Sequence, residues 1–319
     1  MPKTTLADYL AKTVAHDRFP GLAGVLGAIG AACVEISTLI RTAPISGLSG
    51  VTGTTNVQGE DQKPLDIASN DVFLRQLGTV PAVSCAASEE LDNEVVLNQT
   101  GPYSVFFDPL DGSSNLDVNV TVGSIFSIIE ATNPGDLLQP GTRQIAAGFA
   151  AYGPATTLIL TLGASVAMFA LDGETFVLIN ADLKVPDGNR EFAINSSRER
   201  YWDDSVRHYI SDRVSGADGK YNMRWVGSMV AEIQRILTRG GIFLYPADSE
   251  TRSKGGRLRL MYEANPMAMI IETAGGGSSE GTHSILDIPP TGLHQRVPVI
   301  LGSADEVAKF NAYTSGANA

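Results

Sequence analysis

Asp108-Pro109-Leu110-Asp111-Gly112-Ser113-Ser114-Asn115 sets two carboxylates three residues apart, directly after the apolar run Tyr103-Ser104-Val105-Phe106-Phe107. That run reads as a strand, so the acids fall at its end, before a sharp glycine turn. Hard divalent cations such as Mg²⁺ prefer oxygen donors, which Asp108, Asp111 and a nearby backbone carbonyl supply. Gly112, Ser113 and Ser114 add backbone N–H groups and two hydroxyls at an expected helix start, a place that attracts phosphate. Metal donors and a phosphate cradle in one turn point to phosphoester chemistry. An ordinary acidic turn would also carry Asp-Pro and Asp-Gly pairs. Acids recur, however, in Ser88-Glu89-Glu90 and in Tyr262-Glu263-Ala264-Asn265-Pro266. Separate acidic segments that converge suit a multi-metal site, with cations roughly 4 Å apart clamping the attacking and leaving oxygens.

The chain that must position these groups has 319 residues, 43% hydrophobic and 18% charged, as in an ordinary soluble protein. A net charge of −12 argues against a nucleic-acid partner. It leaves an anionic small substrate open, because bound cations invert the local sign. The two cysteines, Cys33 and Cys85, form neither a disulfide framework nor a zinc motif, and a reducing cytoplasm fits. The N-terminus lacks a signal peptide's basic and apolar regions. The uncharged run from Gln144 to Leu171 exceeds the ~20 residues of a spanning helix, but it reads as buried strands joined at glycines, so no membrane partner is expected.

Residues 4 to 42 read as helices, with Gly21, Gly24, Gly27 and Gly30 as packing sites, and residues 43 to 64 as a long mobile loop. A helix is expected over Asp71 to Leu77 with Asp71 as its N-cap, then a strand from Val80 to Cys85. Strand signals continue to Ile179, and the polar stretch Ala181 to Asn189 marks a domain boundary. Beyond it lie expected helices at Asp203–Ser211, Val226–Arg239 and Pro266–Thr273, and strands at Ile242–Tyr245 and Val297–Leu301. Gly275 to Ser279 reads as a helix stop. His16, His208, His283 and His294 are scattered, with no nucleophile or paired-metal spacing.

Asp108 to Asn115, Ser88 to Glu90, Tyr262 to Ala268, Gly53 to Asp66, Arg224 to Val230, Gly240 to Pro246 and His294 to Gly302 together resemble the class I fructose-1,6-bisphosphatases. The inositol monophosphatase relatives share the Asp-Pro-Leu-Asp-Gly core but usually carry Thr after it. The resemblance implies an α/β (α+β) fold, a layered α/β/α/β/α sandwich with the active site between two α/β halves, residues 1–180 and 181–319. It implies Mg²⁺, or Mn²⁺, held by Glu89, Asp108, Asp111, Glu263 and the Leu110 carbonyl, with Asp66 and Glu90 orienting and deprotonating the attacking water. The reacting phosphate of a sugar bisphosphate would meet Asp111, Gly112, Ser113 and Ser114, and the distal phosphate Asn195, Arg224, Tyr245 and Arg257. Arg224 would come from a neighbouring subunit of a homotetramer, and Glu60 would pair with Arg259. The implied reaction, in gluconeogenesis or the Calvin cycle, is hydrolysis of the 1-phosphate of fructose 1,6-bisphosphate.

The chain departs from the animal pattern at several positions. Arg257 stands where a lysine is usual, in a segment two residues longer, and Arg198 and Trp225 fall where tyrosines are common. Sedoheptulose 1,7-bisphosphate, alone or alongside the fructose ester, is therefore an alternative substrate. An inositol-type monophosphatase and a non-catalytic phosphosugar sensor are the further alternatives. The family's AMP-binding turn and Lys-Tyr pair are replaced here by Phe19-Pro20-Gly21-Leu22-Ala23-Gly24-Val25 and Pro102-Tyr103, which implies weak or absent inhibition by AMP at that site.

Overall fold

The computed structural model describes residues 3–48, 50, 63–131 and 134–316. Its first sheet has eight strands: β1 (Val83–Ser88), β2 (Val95–Val96), β3 (Tyr103–Asp111), β4 (Val122–Glu130), β5 (Gln144–Tyr152), β6 (Thr156–Thr161), β7 (Val166–Asp172) and β8 (Thr175–Asn180). They lie in the order β2-β1-β3-β4-β5-β6-β7-β8, antiparallel except for the β1–β3 pair. The second sheet contains β9 (Glu191–Ala193), β10 (Asn222–Met223), β11 (Ile242–Tyr245), β13 (Gly277–Ser279) and β15 (Val299–Gly302), in the order β10-β9-β11-β15-β13. β12 (Leu258–Arg259) and β14 (Arg296–Val297) form a separate small pair.

Both sheets are apolar on both faces, and the period of two sorts their side chains into separate cores. Val105, Phe107, Phe126 and Leu160 face α1 (Leu6–Thr13), α2 (Leu22–Ser46) and α3 (Pro64–Gly78). Phe106, Ile125, Phe149 and Ile159 face the other way, into a core shared with α5 (Met229–Arg239), α6 (Asn265–Thr273) and the second-sheet residues Phe243, Val299 and Leu301. Ile242, Leu244 and Ile300, one residue out of phase with those, pack on α4 (Asp204–Ser215) and α7 (Ala304–Thr314). The result is the five-layer α/β/α/β/α stack.

The Gln144–Leu171 run is strands β5 to β7, without a helix. The described helix long and apolar enough to cross a bilayer is α2, yet its Val25, Ile29, Cys33 and Ile36 stripe is buried against the first sheet. Of the glycine series, Gly21 and Gly30 are close-packing sites, where an added Cβ would come within 2.7 Å of Ala82 and Leu6 respectively. Gly24 and Gly27 have room.

Several expected boundaries are corrected. Residues 43 to 46 belong to α2, which continues through Pro44, while most of the expected loop (49 and 51–62) lies outside the described residues. Helix α3 begins at Pro64, whose fixed φ suits the first helical position. Asp71 therefore sits exposed in mid-helix and caps nothing; the residue in the capping role is Asp66. β1 starts at Val83 rather than Val80, α5 starts at Met229 rather than Val226, and the Val297–Leu301 strand is broken at Pro298.

Candidate active site

In an unbroken strand, residues three apart point to opposite faces. Asp108 would follow Phe106 toward α5 and α6, and Asp111 would follow Phe107 toward α3. The register prevents this: Asp108 pairs with Ile125 and Asp111 with Gly123, so three steps on β3 match two on β4. The extra residue is a β-bulge at Pro109-Leu110, which turns both acids to one side. Glu263 completes the cluster, and ligand oxygens of Asp108, Asp111 and Glu263 lie within 4.8 Å of one another. It is delivered by a π-helical turn, Leu260–Ala264, a rare form found mostly at functional sites.

Glu89 follows β1, its N–H donating to the Phe107 carbonyl at 3.0 Å. Arg259 bridges the acids: its Nη2 lies 2.5 Å from Glu89 Oε1, and its backbone N–H donates to Glu263 Oε2 at 2.5 Å. Glu60, the partner expected for Arg259, lies outside the described residues. Helix α5 aims its N-terminus at the cluster, and the Val230 N–H donates to Asp111 Oδ2 at 3.2 Å. Among the described residues, four buried carboxylates, Glu89, Asp108, Asp111 and Glu263, gather around the Arg259 guanidinium and the start of α5. Burial pushes the Asp111 carboxyl up to about 7, with Glu263 adding repulsion. Burial, then Glu89, Asp111 and Glu263, hold Asp108 well above the usual carboxylate range. Hard oxygens that repel one another in a buried site fit a divalent cation.

The linkage has a definite sign. These folded-state pKa values lie above the unfolded value, so the folded protein binds the extra protons. Without metal, the contribution of these groups to stability is fully present below about pH 4 and is lost as pH rises through about 7. Divalent cations bind the deprotonated acids, so the gap between melting temperatures in Mg²⁺ and in EDTA should widen between pH 5 and pH 8. Equal gaps at both would refute this account of the cluster.

Gly123, opposite Asp111, is where β4, β5 and α5 meet most closely. An added Cβ would lie 2.2 Å from the Ala150 carbonyl oxygen and 2.8 Å from both Val230 methyls. Gly123→Ala should cost about 3 kcal/mol in chemical denaturation, the upper end of overpacking penalties, because the nearest atom is backbone. It should also move the Val230 N–H away from Asp111 and weaken metal-dependent stabilisation.

Asp66 stands at the third position of α3, and Phe73 on the same helix stacks on Phe107 of β3 at 4.6 Å. The stack ties the helix bearing Asp66 to the strand bearing Asp108. Asp66 Oδ2 accepts from the Lys63 N–H at 2.8 Å, so Asp66 also serves in the cap of α3. Its Oδ1 is buried and has no hydrogen-bond partner among the described residues. Burial, with the facing Glu90 charge acting in the same direction, raises this carboxyl to about 6. Asp66 and Glu90 are thus neighbours, beside but outside the three-acid cluster. Lys63, buried and bound to Asp117 at 2.6 Å, is a support for this corner that sequence reading passed over.

Gly112 has left-handed backbone (φ 75°), and Ser113 and Ser114 open a six-residue 3₁₀ turn, Ser113–Val118, rather than an α-helix. Asn115 Nδ2 donates to the Gly227 carbonyl at 2.9 Å, fastening this turn to the segment that leads into α5.

The expected distal-phosphate residues are more dispersed. Asn195 caps a 3₁₀ turn, its Oδ1 accepting from the Ser197 N–H at 3.2 Å. Tyr245 ends β11, 5.9 Å from the Trp225 ring, which stacks on Phe243. Arg257 is exposed beside β12. Arg224 is half-exposed and its Nε is bound to Glu191 of its own chain at 2.7 Å. Arg198 grips Asp248 with two nitrogens, at 2.5 and 2.8 Å, and Glu250 at 3.1 Å; both acids lie in the longer segment after Tyr245. Neither set of partners was read from sequence. Of the histidines, His294 lies against the Tyr262 ring and the Asp92 carbonyl, and His283 pairs with Glu280.

Family models described as fructose-1-6-bisphosphatase, N-terminal domain, and fructose-1-6-bisphosphatase, C-terminal domain, match residues 7–181 and 185–315. A curated relative from Neisseria meningitidis serogroup A, "Fructose-1,6-bisphosphatase class 1", is 49% identical over 317 residues, covering 96% of this chain and 98% of its own. Among solved structures, the holo form of Leishmania major fructose-1,6-bisphosphatase aligns with a TM-score of 0.94 at 35% identity, covering 99% of this chain and 100% of the other. The T-state of that enzyme aligns with a TM-score of 0.88 at 35% identity, covering 98% and 99%.

Proposed function

Because the chain belongs to the class 1 fructose-1,6-bisphosphatase family, we propose that it is a divalent-metal-dependent phosphatase that hydrolyses fructose 1,6-bisphosphate to fructose 6-phosphate and phosphate. The observation that carries this reading is the β3 bulge, which sets Asp108 and Asp111 side by side against Glu263. Glu89, Asp108, Asp111, Glu263 and the Leu110 carbonyl would hold Mg²⁺, with Mn²⁺ as a substitute. When bound, the cation neutralises the acids and supplies positive charge to the phosphoryl oxygens of the transition state.

This chain's own groups do the rest. Asp66 and Glu90 orient a water and take its proton, a task suited to a carboxyl raised to about 6. Gly112, Ser113 and Ser114 donate to the 1-phosphate. Asn195, Arg224, Tyr245 and Arg257 hold the 6-phosphate, whose remote binding energy positions the reacting end. The half-exposed Arg224 suits donation across a subunit boundary, which supports an oligomer of the homotetrameric kind that the resemblance implies. Separate sheets on either side of residue 180 support the division into halves 1–180 and 181–319. Two buried free thiols accord with the cytoplasm.

One observation favours a broader substrate range. Arg198, bound to Asp248 and Glu250 of the longer segment, brings a different side chain to the distal end. The deciding measurement is phosphate release from fructose 1,6-bisphosphate and sedoheptulose 1,7-bisphosphate, each with Mg²⁺ and with EDTA. Mg²⁺-dependent release from the fructose ester supports the reading, and comparable rates on both esters assign dual activity. No release from either would overturn it in favour of a phosphosugar sensor.

A further inference from the structure

The bulge that assembles the acidic cluster leaves Pro109 and Leu110 without register partners on β4. The Pro109 carbonyl is instead taken by a side chain: Ser124 Oγ lies 2.7 Å from it, with Ser124 fully buried. Ser124 Oγ is also 2.8 Å from Tyr152 Oη, and the Tyr152 hydroxyl meets the Cys33 thiol, 0% exposed on α2. The proton order along this line is determined. A carbonyl only accepts, so Ser124 spends its single proton on Pro109. Tyr152 must then donate to Ser124. The line runs Tyr152→Ser124→Pro109, from β5 through β4 into β3, with the buried Cys33 thiol of α2 behind Tyr152.

Resting on the reading of Asp108 and Asp111 as metal ligands, we infer that Ser124 and Tyr152 are positioning residues that lock the Pro109-Leu110 bulge in its metal-binding shape. Neither side chain touches the cluster. Each acts through the Pro109 carbonyl, one residue from Asp108 and two from Asp111. If Ser124 is lost, the Pro109 carbonyl is buried without a donor and the bulge is free to slip toward regular pairing, which would carry Asp111 to the opposite face. If Tyr152 loses its hydroxyl, Ser124 keeps its bond to Pro109 but is no longer held from behind. The effects should therefore be graded.

The test is Mn²⁺ titration of the full chain by electron paramagnetic resonance, with wild type, Ser124→Ala, Ser124→Thr, Tyr152→Phe and, as the reference for a lost ligand, Asp108→Asn. Melting in EDTA reports the fold of each variant. Ser124→Ala should weaken Mn²⁺ binding by roughly tenfold or more, as outer partners of metal ligands do. Tyr152→Phe should weaken it by a smaller factor, and Ser124→Thr should restore it by retaining the hydroxyl. The half-saturating Mg²⁺ for turnover should rise in the same order, with little change in KM at saturating Mg²⁺. Wild-type Mn²⁺ affinity in both Ser124→Ala and Tyr152→Phe, with only a lower melting temperature, would reduce the line to ordinary core support. Failure of the wild type to bind Mn²⁺ would sink the metal reading itself, and this inference with it.

Discussion

Asp108→Asn is expected to lower turnover about 10³-fold, equivalent to about 4 kcal/mol of transition-state stabilisation, while making the metal-free protein more stable. The two effects share a cause. Asp108 is 7% exposed and held well above the usual carboxylate range by burial and by Glu89, Asp111 and Glu263. At pH 8 a carboxyl held above its usual range by burial and like charges penalises the fold while it is ionised. Asn removes that charge at nearly constant shape, and its side-chain oxygen can still accept the Leu110 N–H, now 2.9 Å from Asp108 Oδ1. The melting temperature in EDTA should rise by several degrees, and the increment added by Mg²⁺ should shrink. Phosphate release and paired melts test both halves. Turnover within tenfold of wild type would remove Asp108 from the metal site, and a fall in the EDTA melt would show that the charge was already compensated.

The same trade explains which parts of the site are legible in sequence. The acids of Asp-Pro-Leu-Asp and Glu263 stand out because a buried carboxylate is costly and is retained only where it has a use. Their arrangement was harder to read. Strand periodicity alone separates Asp108 from Asp111, and the signal that they converge is Pro109: proline in an interior strand marks a bulge. β3 lies between β1 and β4, so the proline had only that place to sit. Asp66 was similarly obscured. Pro64 signals a first helical turn, which puts Asp66 at its third position and excludes Asp71 as the cap. The apolar strand signals located the first sheet and, in the second, β11 and β15; the short β9 and β10 were not read, and β13 (Gly277–Ser279) stands where only a helix stop was expected. Arg259 with Glu89, Arg198 with Asp248 and Arg224 with Glu191 were invisible by comparison. Ion pairs between distant segments depend on the tertiary path, and one arginine in a sequence looks much like another.

Asp66→Asn should reduce kcat by about 10² to 10⁴-fold, the range of a lost general base, while KM for fructose 1,6-bisphosphate stays within a few-fold of wild type. The structure allows that separation. The Asn side-chain oxygen can replace Oδ2 as acceptor of the Lys63 N–H, so the first turn of α3 and the Phe73–Phe107 stack should survive. What is lost is the proton-accepting Oδ1, buried beside Glu90 with no hydrogen-bond partner among the described residues. The pH profile discriminates further. The wild-type rate should climb as pH rises through about 6, where Asp66 gives up its proton, and that limb should vanish in the variant. Stability runs the opposite way. A carboxyl raised from 3.8 to about 6 favours the fold only while protonated, so its contribution is present below about pH 4 and lost as pH passes 6. Asn, neutral throughout, should melt at or above wild type at pH 8. A variant that melts normally and still turns over within several-fold of wild type would leave proton abstraction to Glu90 and reduce Asp66 to the helix cap it also is.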